Sequence, residues 1–148
     1  MKLSPKILLA AISLPWVVTA CTSNGDNTPQ ITAQDLQHHN WELVSINGNP
    51  IKLTENQTAP RLEVGEKMTA NGNAGCNNFF GQAELNENKF RIEKMGMTMK
   101  MCVGDLMDVE QAFSQTLSNW SDMSLTKDSM VLKNDIHTLT FKLNDWKN

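Results

Sequence analysis

The sequence is short of the parts most enzymes need. It has three histidines and three cysteines in 148 residues. No C-x-x-C pair, no G-x-S-x-G elbow, no G-x-G-x-x-G and no Gly-Lys-Ser/Thr phosphate loop is present. Carboxylates are scattered rather than paired, so solvated faces account for most of them. No catalytic residue, metal set or cofactor is expected. Lys and Arg number 13 against 16 Asp and Glu, and the acidic balance disfavours a nucleic-acid partner. The length suits one domain and is too small for a two-lobed nucleotide-binding enzyme. There is no βαβ rhythm, hence no parallel sheet, and no repeat of 20–50 residues.

An apolar run long enough to cross a bilayer is also missing. Ile7–Val18 carries no charge but is about a dozen residues, short of the roughly 20 a spanning helix needs. Preceded by Lys2 and Lys6, it has the form of a signal-peptide core. Val18-Thr19-Ala20-Cys21 follows and resembles a lipobox, which would place the Cys21 thiol to receive a diacylglycerol before cleavage. Residues 1–20 are read as a lipoprotein signal peptide. Residues 21–31 are read as the lipidated cysteine and a flexible tether, polar and broken by Gly25 and Pro29. Cleavage leaves 128 residues with net charge −5. Several acyl chains on one residue suffice for stable anchoring. Thr22 stands where an Asp resembles an inner-membrane retention signal. The expected location is therefore the outer membrane, with the body in the periplasm.

Residues 32–148 are expected to form one domain. Thr32-Ala-Gln-Asp35 opens a short helix ending near His39, where His38 and His39 complement its dipole. His137 is expected to flank the last strand, facing solvent or lying in its turn. Strands are expected at 40–46 (with one slip in alternation), 61–64, 67–73, 82–85 and 89–92. Leu106, Val109, Phe113, Leu117 and Trp120 recur at three and four, one face of a helix capped by Asp105. Strand patterns return around Lys127-Asp128-Ser129 and at 138–143. The fold class is α+β: a curved, mostly antiparallel, cracked-barrel-like sheet of about seven short strands on one amphipathic helix, plus the short N-terminal helix.

Two features remain. Cys76 and Cys102 form an even pair once Cys21 is lipidated. An oxidising compartment favours a disulfide, the alternative being a metal or redox pair. Met95, Met97, Met99 and Met101 fall at every second residue, so a strand would point all four one way. They could fill the core, line a hollow for a greasy ligand, or, with a thiolate, hold Cu(I). Gly72–Gly81 is dense in Gly and Asn and reads as a tight corner.

Gly75-Cys76-Asn77-Asn78-Phe79-Phe80-Gly81 resembles the G-C-N-x-F-x-G signature of META domains. Thr98 through Met101-Cys102 resembles that family's T-R-M-x-C signature. Leu36–His39, Ser45–Pro50, Gly65–Met68 and Thr138–Leu143 are also similar to heat-shock members, so the resemblance spans residues 32–146. Met99 and Lys100 stand where the pattern has Arg and Met, moving the basic group to the other strand face. The resemblance implies a small, non-enzymatic lipoprotein or secreted domain of mixed α/β fold, linked to heat shock and envelope stress. Its partners would be the membrane and an undefined envelope protein or hydrophobic ligand. The runner-up is a lipid- or peptide-binding accessory factor like the pilotin lipoproteins, with a Met-lined hollow; a Cu(I) binder is the third reading.

Overall fold

A computed structural model describes residues 28–145. The signal peptide, Cys21 and tether residues 22–27 lie outside the described residues. Strands β1 (His39–Ile46), β2 (Asn49–Pro50), β3 (Arg61–Val64), β4 (Thr69–Asn73), β5 (Asn78–Asn86) and β6 (Lys89–Met97) precede helix α1 (Leu106–Ser118). Strands β7 (Ser121–Leu125), β8 (Ser129–Lys133) and β9 (Thr138–Leu143) follow it. The antiparallel order β1-β3-β4-β5-β6-β7-β8-β9 closes through a β9–β1 pairing, so eight strands make a barrel. Strand β2 only caps the end of β1, through a turn whose Asn47 and Gly48 both have positive φ, as a type I′ hairpin requires.

Alternation decides what faces inward. Leu62 and Val64, Phe90 and Ile92, Met130 and Leu132, and Leu139 and Phe141 are all buried. The slip expected in β1 is real: its register with β9 shifts between Leu43 and Ser45. Trp41 and Leu43, two apart, already share the core face; the bulge after them brings Ile46, three beyond Leu43, opposite the buried Leu139 and against the core. Between β6 and β7 the ladder is only two residue pairs, Lys89–Asp122 and Phe90–Ser121. Helix α1 packs on β6 and β9 beside that narrow seam. Its Phe113 ring meets those of Phe79 and Phe141 at 5.5 and 6.0 Å. Such a buried aromatic is worth several kcal/mol.

Nine strands replace the expected seven, and several boundaries move. The N-terminal helix is a three-residue 3-10 turn, Ala33–Asp35. Leu36 is buried directly after it and His38 takes a positive φ, which turns the chain into β1. The histidines therefore serve no dipole: His38 pairs with Glu66 at 3.3 Å and His39 with Asp145 at 2.7 Å. Strand β4 starts at Thr69, because Lys67 and Met68 both have positive φ in a preceding 3-10 turn. Strands β5 and β6 run nine residues each. Gly72 lies in β4, within the strand expected at 67–73, where a Cβ would strike the Arg61 carbonyl; Gly81 belongs to β5 rather than to the corner, and a Cβ there would strike the Ile92 side chain. Asp105 precedes α1 but makes no side-chain cap. At the other end, Ile31 N–H donates to Asn88 Oδ1 (2.7 Å) and Asn88 Nδ2 donates to the Pro29 carbonyl (3.3 Å). Residues 29–31, read from sequence as tether, are thus fastened to the β5–β6 turn.

Candidate functional site

The two cysteine motifs come together at the barrel end where β4 turns into β5 and β6 leaves for α1. Gly75, at φ +135°, makes the turn; a Cβ there would press on the Leu106 carbonyl. Cys76 is bonded to Cys102, with Cα atoms 5.9 Å apart. Phe79 points into the core against Gly72 and Phe113.

Asn77, 3% exposed, is the hub of the corner. Its Oδ1 accepts from Thr98 Oγ1 (2.9 Å) and from the Lys100 N–H (2.6 Å). Its Nδ2 donates to the Lys100 carbonyl (3.0 Å) and to Glu110 Oε1 (2.8 Å). Glu110 Oε2 in turn accepts the N–H groups of Cys76 (3.0 Å) and Asn77 (2.6 Å). A carboxylate only 7% exposed is thus held by three N–H donors instead of a cation. Charge-assisted bonds of this kind are the strong class. Thr98 Oγ1 also accepts from the Asn78 N–H (3.1 Å). The side chains of the two motifs spend their polar atoms on each other.

Glu110 escaped the sequence reading, although a signal existed. It lies four residues after Leu106 and three before Phe113, on the stripe of α1 that is buried. A carboxylate on an apolar stripe needs donors, and the corner supplies them.

The methionine row is not a row. Strand β6 ends at Met97, where Met95 and Met97 lean on the core while Met99 is 94% and Met101 86% exposed. Asn77 and the disulfide draw residues 98–102 off the sheet, so the period of two no longer means one face. Met99→Ala is accordingly expected to shift urea-unfolding stability by less than about 0.5 kcal/mol. A loss of 2 kcal/mol or more would put that side chain back in the core. The bonded Cys102 offers no thiolate for copper, and among the described residues no three His, Cys, Asp or Glu side chains gather as a metal set. Lys100 is not on a strand face either; the corner grips its main chain, which a change of side chain leaves in place.

An open groove of about 520 Å3 lies at the opposite end, between residues 28–35, Asn88 and the β7–β8 turn, with Trp41, Met123 and Leu143 in its walls. His39 closes one side, and its Nδ1 meets Asp145 Oδ2 at 2.7 Å. Burial pushes the Asp145 carboxyl up, but the Asn40 N–H and His39 outweigh it and hold it below the usual carboxylate range. His137 sits apart, beside Asn47, so the three histidines share no site.

The META domain model matches residues 34–146. Heat shock protein HslJ of Escherichia coli (strain K12) is 31% identical over 144 residues, covering 97% of this chain and 99% of that protein. A protein structure solved by NMR superposes with a TM-score of 0.70 at 32% identity, over 80% of this chain and all of the other. A second NMR structure, from Burkholderia xenovorans, superposes with a TM-score of 0.62 at 19% identity, over 95% and 99%, a likeness of fold alone. The family match covers most of the chain and contains both cysteine motifs of the cross-linked corner: the protein belongs to the META-domain family.

Proposed function

We propose that this protein is a non-enzymatic lipoprotein, anchored through Cys21 in the outer membrane and facing the periplasm, that serves the heat-shock and envelope stress response. The observation that carries the reading is the order of features at the N-terminus. A charged head and a short uncharged core lead to Val18-Thr19-Ala20-Cys21. Pro29 and Ile31, a few residues beyond that cysteine in sequence, are fastened to the β5–β6 turn through Asn88. A bonded Cys76–Cys102 pair suits an oxidising compartment. The polar groups of the motif corner are engaged with one another, which favours a structural role for them over a catalytic one. The similarity to HslJ supports the stress assignment.

Cys21→Ser is the test. The variant is expected to lose the acyl mass and to leave the membrane fraction, either soluble in the periplasm or uncleaved. A strain lacking the protein should regain heat tolerance with the wild type and less so with this variant. Unchanged membrane fractionation of Cys21→Ser would end the lipoprotein reading. The Met-lined hollow and the copper site are not retained, because Met99 and Met101 face solvent and Cys102 is bonded.

A further inference from the structure

Methionine is frequent in this chain, nine in 148 residues, and the fold sorts the described ones by exposure. Met123 and Met130 are buried in the core. Met68, Met95 and Met97 pack against it, and Met107 is half-buried on α1. Met99 and Met101 stand in solvent, 94% and 86% exposed. Single exposed apolar residues are ordinary. These two have in common a reactive atom, the thioether sulfur.

A thioether gives up two electrons to an oxygen-atom donor such as hydrogen peroxide. The sulfur lone pair attacks one peroxide oxygen and the O–O bond breaks. The proton on the transferred oxygen passes to the departing hydroxide, which leaves as water. Sulfur is oxidised to the sulfoxide and the peroxide is reduced to water. The lone pair has to be reachable. It is reachable at Met99 and Met101, and shielded at Met123 and Met130. At Met95 the sulfur accepts from Ser118 Oγ (3.7 Å). Among the described residues no thiol competes, because Cys76 and Cys102 are bonded to each other.

Position also decides what oxidation does to the fold. A sulfoxide is polar and chiral and disrupts a core that has to hold it. Met99 and Met101 belong neither to the core cluster nor to the residues packed on it. The chain around them is held by the disulfide at Cys102 and by the hydrogen bonds of Asn77 to the Lys100 main chain. No methionine side chain takes part in those contacts. We propose that Met99 and Met101 are a redox modification site: they take up oxygen from hydroperoxides as methionine sulfoxide while the barrel stays folded. The class of reaction that consumes the product is thiol-dependent sulfoxide reduction, with one enzyme for each sulfoxide epimer. At these positions the sulfoxide is open to such enzymes without unfolding. The site does not depend on anchoring through Cys21.

The test treats the full chain carrying Cys21→Ser, in which no cysteine stands outside the disulfide, with hydrogen peroxide. Peptide mass spectrometry follows each methionine. Met99 and Met101 are expected to gain one oxygen atom each, about tenfold faster than Met123 and Met130, at an unchanged unfolding midpoint. Pre-reduced methionine sulfoxide reductases of both epimer specificities, in excess and without free thiol, should return both residues. Met99→Leu with Met101→Leu should remove the fast uptake and leave the midpoint in place. Wild-type protein recovered from peroxide-treated cells should carry sulfoxide at these two positions ahead of the other described methionines. Equal rates at Met123 or Met130, or a midpoint that falls as Met99 and Met101 oxidise, would overturn the proposal. So would sulfoxides that the reductases leave untouched, or protein from treated cells with neither position oxidised.

Discussion

Replacing Cys76 and Cys102 together by alanine is expected to destabilise the oxidised protein by roughly 3.5 kcal/mol, the chain-entropy value for a closed loop of this length. The bond spans 26 residues and encloses both long strands β5 and β6. Opening it frees the unfolded chain while the native hairpin keeps its ladder. On a domain of this size the melting midpoint should fall by about 14 °C. The loss should be the same for the wild type measured under reducing conditions, because the cross-link rather than the sulfur atoms carries it. A midpoint that falls by less than about 3 °C in both experiments would show that the corner is held without the bond. Thiol labelling of both cysteines in the native, oxidised protein would show that the bond is not made.

Much of the barrel is written in local patterns. The clean alternation at Leu139, Phe141 and their neighbours, the period of α1 and the Asn47-Gly48 turn each specify an element without help from distant residues. Even the slip in β1 was visible as a break in alternation, and it became a bulge. Closure was not visible, because the β9–β1 pairing joins residues about a hundred apart and no local pattern encodes a partner. The lengths of β5 and β6 were hidden for a related reason. Gly81 reads locally as part of a tight corner, yet β5 runs through it, and it gives up a Cβ to the approaching Ile92 side chain. The methionine row failed in the opposite direction. Its period of two is a fact of the sequence, but the ladder ends at Met97 and the side chains beyond it are set by Asn77 and Cys102.

The corner was half legible. Both cysteines and Asn77 stand in motifs, and their pairing follows from the count of cysteines. Glu110 stands in none, and its role appears only when α1 is laid across the corner. The largest loss from a single substitution is expected there. Glu110→Ala would leave the N–H groups of Cys76 and Asn77, and one donor of the Asn77 amide, buried without acceptors. Each such orphan costs about 1–3 kcal/mol, so the variant should lose about 3–5 kcal/mol in urea unfolding. Glu110→Gln keeps one oxygen for these donors but turns an amide N–H2 toward others, and should lose about half as much. Asn77→Ala removes the partner that needs Glu110 and also releases Lys100. Because the two residues share one network, the double variant should be less damaged than the sum, with a coupling of at least about 1 kcal/mol. Additive losses would mean that Glu110 supports the helix alone. A loss below about 1 kcal/mol for Glu110→Ala would mean that water replaces the carboxylate and that the corner is open to solvent.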